Sequence, residues 1–220
     1  MQVELAGSTG VTVHLREDRR HIQDRDLRLI REVVRGHLNL EMAATEEMVR
    51  IAIETGPRIA TIVPERREEL TTEGGLDAAA GGRKLKAAIA ALREAEIEVS
   101  LFVDPDARQI EATLKAGADA VEIHTGAYAN ARDESEVQLR LMEIAAAAEL
   151  ADGMDLRVHA GHGLNYANVS AVAALAHLRE LNIGHSIVSR AVFDGLPKAV
   201  ADMARLIREA SGRGAPPPSS

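Results

Sequence analysis

His14, Glu41 and His162 are the residues whose types and positions are best suited to moving protons. Two imidazoles and a carboxylate can alternate as acid and base near neutral pH. Each follows a short apolar run: Val11-Thr12-Val13-His14, Leu38-Asn39-Leu40-Glu41, and Val158-His159-Ala160-Gly161-His162. Five of the eight histidines (His14, His21, His124, His162 and His185) fall at the ends of such runs or in the loops after them. Chance placement would scatter them. Glu41 closes an otherwise apolar run, and an unpaired buried carboxylate is costly. It either pairs with Arg16 or stands as a base with a raised pKa, and the two readings are compatible. His37, at the start of its run, and His177, in a helical stretch, read as structural.

The elements that must carry these residues alternate regularly. Strand-like runs occur at Val11–Arg16, Leu38–Glu41, Ile59–Val63, Val99–Val103, Ala120–His124, Leu156–Ala160 and Leu181–Val188. Each is short and nearly continuous in hydrophobicity, as expected of parallel strands buried on both faces. Helical periodicity lies between them, for example at Leu85, Ala88, Ile89 and Leu92, and again at Val200, Met203, Leu206 and Ile207. This β-α rhythm predicts a parallel sheet covered by helices. No glycine-rich nucleotide loop follows an early strand, which argues against a doubly wound fold. A (β/α)8 TIM-type barrel gathers its strand C-termini on one active-site face, so the polar strand ends converge there. His159, inside its strand, faces either the barrel or the helices. Seven strands are countable where such a barrel has eight. Met1–Ala6 reads as the end of a helix, as if the chain began after its first strand. The expected organisation is one domain over 1–211 and a disordered Gly/Pro/Ser-rich tail over 212–220.

Composition narrows the function classes. The chain has 220 residues, 46% of them hydrophobic and 27% charged, an ordinary globular balance with room for a core. Only 2% are aromatic, so the core must be built from Ala, Leu, Ile and Val. A net charge of −8 disfavours non-specific binding to nucleic acid or acidic membranes. The absence of cysteine removes disulfides, thiolate metal sites and thiol nucleophiles. No apolar run approaches ~18 residues and no signal peptide opens the chain, so a soluble, cytoplasmic protein is expected.

Glycines add a second pattern. Gly161 and Gly163 flank His162, and Gly184 precedes His185. Such positions either make tight turns or bring backbone N–H groups close to an anion. In barrels of this kind the loops after the last two strands, with a short extra helix, form a phosphate site; Ser189–Gly195 fits that helix and Leu196 onward the final one. The stretch Pro64–Lys84 is long for a βα loop and reads as a functional lid or a surface insertion.

Taken in order, TVHLREDRRHI (Thr12–Ile22), LNLEMAATEEM (Leu38–Met48), VPE and TTEGGLD (Val63–Glu65 and Thr71–Asp77), VSLFVD (Val99–Asp104), EIHTG (Glu122–Gly126), AGHGLNY (Ala160–Tyr166) and ELNIGH (Glu180–His185) closely resemble the pyridoxine 5′-phosphate synthase family of vitamin B6 biosynthesis. The resemblance implies a TIM-type barrel that condenses 1-deoxy-D-xylulose 5-phosphate with 3-amino-2-oxopropyl phosphate. The products implied are pyridoxine 5′-phosphate, inorganic phosphate and water, with no metal and no redox cofactor. It implies His14 and Glu41 as bases and His162 as proton donor. Arg16, His21 and Thr71 match positions that bind the deoxyxylulose phosphate, and Gly163, Gly184 and His185 those that bind the aminoacetone phosphate. A homo-octamer built from dimers is implied as well. The family's first strand carries an Asn-x-Asp-His motif that nothing in residues 1–10 matches. A misassigned start codon, a naturally shortened protein and a deliberately shortened chain would each produce this pattern.

Two rivals remain at this level. One is a metal-dependent barrel aldolase or hydrolase using the histidine rim, although no His-x-His pair or clustered carboxylates complete a metal shell. The other is an inactive remnant that binds sugar phosphates without turnover.

Overall fold

The computed structural model describes residues 1–71 and 74–212. Its elements are α1 (Gln2–Leu5), β1 (Gly10–His14), α2 (Asp24–Val33), β2 (His37–Met42), α3 (Glu46–Thr55), β3 (Ile59–Ile62), α4 (Gly82–Glu94), β4 (Glu98–Val103), α5 (Ala107–Ala116), β5 (Ala120–His124), α6 (Gly126–Ala129), α7 (Glu134–Gly153), β6 (Arg157–Gly161), α8 (Val169–Ala173), β7 (Leu178–Asn182), α9 (His185–Asp194) and α10 (Leu196–Ser211). A 3-10 turn at Arg67–Glu69 interrupts the long loop after β3. The tail expected over 212–220 lies, beyond Gly212, outside the described residues.

All seven strands are parallel and pair in sequence order from β1 to β7. The sheet curls until side chains of its first and last strands meet. The Thr12 hydroxyl of β1 donates to Asn182 Oδ1 of β7 at 2.9 Å, and His37 of β2 pairs with Glu180 of β7 at 2.9 Å. No backbone ladder joins β1 to β7 among the described residues. The architecture is the expected α/β barrel, open along one seam, with seven strands.

Strands were expected to be nearly uniformly apolar, and here the structure differs. Each strand alternates, because successive side chains point to opposite faces. Leu38, Leu40 and Met42 of β2, Val99, Leu101 and Val103 of β4, and Val121 and Ile123 of β5 pack in one core with Leu27, Met48, Ile89, Leu92, Ile110 and Ile144 of the helices. Each such fully buried side chain contributes roughly 1.5–3 kcal/mol relative to exposure. The intervening residues, Thr12, Asn39, Thr61, Ser100, Glu122 and His159, point inward and are largely polar. Thr61 donates to Asn39 across β2 and β3 at 2.9 Å. His159 therefore faces the barrel, not the helices.

The helices begin and end where local chemistry dictates. Asp133 accepts from Glu136 N–H to start α7, and Asp106 caps α5, which ends on Gly117 at φ +92°. Near the C-terminus the boundaries shift from expectation. The last strand is Leu178–Asn182, not Leu181–Val188, and the extra helix spans His185–Asp194, not Ser189–Gly195. Ile187 and Ala191 stand at helical spacing on α9, and Gly184 marks the break that periodicity alone did not reveal. His177 sits before β7 at φ +69°, paired with Asp152 at 2.8 Å, and not in a helix.

Candidate active site

The C-terminal rim carries two separate clusters. In the first, β1 ends in His14 and β2 places Glu41 beside it in register. His14 Nδ1 lies 3.7 Å from Glu41 Oε2, and His14 Nε2 lies 2.9 Å from Glu65 Oε1 in the loop after β3. Both ring nitrogens thus face carboxylates, which fix the ring across the mouth of the barrel. Glu65 is itself held, with Oε2 accepting from the Glu17 backbone N–H at 3.0 Å. Burial pushes the Glu41 carboxyl above its usual range, and the neighbouring His14 offsets part of that. Of the two readings of Glu41, the raised carboxyl holds and the pairing with Arg16 is not made. Arg16 turns to Asp18 instead, with Nε 3.5 Å from Oδ1, a separation that makes an ion pair without a hydrogen bond.

The second cluster surrounds His162, which follows β6 in the left-handed region at φ +81°. Its ring meets His124 of β5 edge-on at 5.0 Å between centroids, with Phe102 of β4 at 6.3 Å. The Thr125 hydroxyl donates to the carbonyls of Gly161 and His162, pinning the turn. Partial desolvation, with the His124 charge added, holds His162 below the ordinary imidazole pKa. Thr71 reaches this cluster through its hydroxyl, which donates to Asp104 Oδ2.

Beneath the rim, Glu122 lies fully within the barrel. Asn182 Nδ2 donates to its Oε2 at 2.8 Å, and Thr12 in turn donates to Asn182. Burial first, then the Glu41 charge, raise the Glu122 carboxyl well above the usual range; the Asn182 hydrogen bond opposes them and Glu180 adds to the rise.

The glycines divide into two kinds. Gly163, at φ +78°, has Ala129 Cβ only 2.6 Å from where its own Cβ would lie, so close packing requires glycine there. Gly184 meets nothing within 4 Å and starts α9, whose first turn holds no acid and no side-chain cap. The Ser186 hydroxyl donates to the Leu164 carbonyl at 2.8 Å, which joins the start of α9 to the loop carrying Gly163. These open N–H groups suit an anion. His185 is exposed in the first turn of α9, and His21 is exposed in the β1–α2 loop without a hydrogen bond or ion pair.

Sequence reading missed Glu65, Asp104 and the inward position of Glu122 as parts of the site. Glu65 and Asp104 each left a trace, an acid just past the end of an apolar strand; Glu122 lies within a run that reads as ordinary strand. Among the described residues, no three His, Asp or Glu side chains are grouped to hold a metal ion. No helix there is long and apolar enough to cross a membrane.

Fold and rim together define an α/β-barrel enzyme equipped for acid–base chemistry. Among solved structures, KGPDC from Streptococcus mutans superposes with a TM-score of 0.66 at 13% identity, over 95% of this chain and 89% of that one, a likeness of fold alone. The family model described as "Pyridoxal phosphate biosynthesis protein PdxJ" matches residues 1–209. The pyridoxine 5′-phosphate synthase of Photobacterium profundum is 60% identical over 200 residues, covering 91% of this chain and 82% of the relative. That of Geobacter sulfurreducens is 58% identical over 207 residues, covering 94% and 87%. The chain belongs to the PdxJ family of pyridoxal phosphate biosynthesis proteins.

Proposed function

We propose that this chain performs the reaction for which its relatives are named. It condenses 1-deoxy-D-xylulose 5-phosphate with 3-amino-2-oxopropyl phosphate to pyridoxine 5′-phosphate, releasing inorganic phosphate and water, without a metal or redox cofactor. The observation that carries this reading is the His14–Glu41 pair at the barrel mouth. Amine and ketone first form a Schiff base, phosphate and water are then eliminated, and an aldol-type closure completes the ring. Every step moves a proton. A Glu41 carboxylate of raised pKa is a stronger base toward carbon acids than an ordinary one. His162, with its lowered pKa, gives up a proton readily once it holds one.

In this reading Arg16, His21 and Thr71 take the deoxyxylulose phosphate. The incompletely bonded Arg16 guanidinium supports that role, since a phosphate oxygen would complete it. Gly163, Gly184 and His185 take the aminoacetone phosphate, supported by the uncapped start of α9. Residues 1–211 act as one barrel unit, as a homo-octamer in the cytoplasm, and the acidic net charge of −8 fits a protein without nucleic-acid or membrane partners.

The test supplies the purified chain with both substrates and measures pyridoxine 5′-phosphate. Product is expected from the wild type, and His14→Ala and Glu41→Gln should each lower kcat by about 10²–10⁴-fold while the proteins stay folded. If the chain makes no product, the assignment fails; near-normal turnover in either variant removes that residue from the chemistry.

A further inference from the structure

Asp104 and His124 have no part in the chemistry above, yet they form a buried, hydrogen-bonded ionisable pair at the rim. Asp104 is 5% exposed and His124 8%. Asp104 Oδ1 accepts from His124 Nδ1 at 3.0 Å and from the Gly75 N–H at 3.1 Å. Oδ2 accepts from the Thr71 hydroxyl. An ionised carboxylate can only accept, so His124 must carry its hydrogen on Nδ1. Burial alone would raise the Asp104 carboxyl, but the hydrogen bonds from His124 and Thr71 outweigh it and hold the group below its usual range. The His124 ring is closely approached on several sides. Phe102 stands at 4.9 Å, and a Cβ on Gly126 would fall 2.4 Å from His124 Nε2. A Cβ on Gly74 would fall 3.2 Å from His124 Cε1. The Gly126 and Gly74 backbone and the Phe102 ring crowd the His124 ring, and the His162 ring meets it edge-on at 5.0 Å.

We propose that Asp104 and His124 are a positioning pair that sets the orientation and protonation of His162 and ties both to the seating of Thr71. The proposal rests on reading His162 as the proton donor. A buried ion pair costs desolvation that apolar side chains of similar volume avoid. This pair stands at the barrel mouth, outside the helix-facing core, where packing alone calls for no charge. A cavity of about 430 Å³ borders Thr71, Asp104 and His124 from the side of Arg108 and Gln109, so altered side chains at 104 and 124 have room. Among the titratable groups at the facing strand ends, His124 bears on His162 directly, and Asp104 acts through it.

The test uses the full chain with His124→Gln and Asp104→Asn, each first shown by circular dichroism and thermal unfolding to fold. Histidine NMR titration, without substrate, reads His162. His124→Gln should raise its midpoint by removing the neighbouring charge, and Asp104→Asn should move it as well. Product assays should show kcat falling by about tenfold to a hundredfold, with KM within a few-fold and the kcat–pH profile displaced. The double variant should be no worse than the poorer single one, because both act through one ring. An unmoved His162 midpoint in folded His124→Gln overturns the proposal whatever the activity, since loss of turnover would then reflect a structural or directly catalytic role. An unchanged kcat overturns it equally. If the wild type makes no product, the proposed function falls, while the NMR measurement still decides whether the pair governs His162.

Discussion

Replacing Glu122 by glutamine tests the electrostatics of the barrel interior. The residue is 2% exposed, and burial together with the Glu41 and Glu180 charges raises its carboxyl well above the usual range. The folded protein therefore keeps the Glu122 proton to higher pH than an unfolded chain, whose carboxyl has a pKa of about 4.3. The unfolded state then binds fewer protons than the native one, so the wild type loses stability as pH rises through this window, by up to ~1.4 kcal/mol per pH unit. A glutamine side chain at this position has no proton to lose and keeps an oxygen to accept from Asn182. At pH 5, Glu122→Gln should lie within about 1 kcal/mol of the wild type, the scale of one neutral hydrogen bond. Above pH ~5 the variant should gain on the wild type, with a slope bounded by that limit. Glu122→Ala leaves the Asn182 amide without its partner and should cost at least about 1–3 kcal/mol at either pH. Urea unfolding at pH 5, 6 and 7 measures all three. A pH-independent difference between Glu122→Gln and wild type, or a loss beyond ~2 kcal/mol at pH 5, would show that Glu122 is ionised in the fold.

Two further outcomes are expected. Gly163→Ala should destabilise by roughly 2–4 kcal/mol, from its left-handed backbone and the 2.6 Å approach to Ala129; Gly184→Ala should leave the melting temperature unchanged while raising KM for the aminoacetone phosphate, as measured by thermal unfolding and steady-state kinetics. The hydrogen bond from His37 to Glu180 outweighs burial and raises the His37 pKa, so the pair's stabilisation, about 1 kcal/mol or less, is fully present below the unfolded value of ~6.5 and is lost as pH rises through the folded one. His37→Gln should flatten that part of the stability–pH curve.

The barrel was legible because its signals are local. Strands of four to six residues alternate with helical periodicity, and the first six fall within one or two residues at each end of where the sequence places them, the largest overrun being Leu15 and Arg16 beyond β1. The seventh was misplaced because Leu181 belongs to the strand, Ile183 to the link after it, and Ile187 and Val188 to a helix, and one glycine between them is a weak divider. The rim residues His14, Glu41 and His162 were visible as polar groups ending apolar runs. Their partners were not. His14 meets Glu65 across 51 residues, Thr71 meets Asp104 across 33, and Asn182 meets Glu122 across 60. Those pairings are made by the curl of the sheet, and no local period announces them. The division of the rim into two clusters is equally a product of closure in space, since along the chain the histidines form a single series.

Each strand of this barrel is two half-sequences interleaved with a period of two. The outward half, such as Leu38-Leu40-Met42, answers only to helix packing, and the inward half, such as His37-Asn39-Glu41, answers to proton balance and hydrogen bonding. Substitutions in one leave the other's neighbours nearly untouched. Descent can therefore conserve the architecture while the chemistry drifts, or hold the chemistry while the shell is rewritten, with the two inheritances recorded on alternate residues of the same strand.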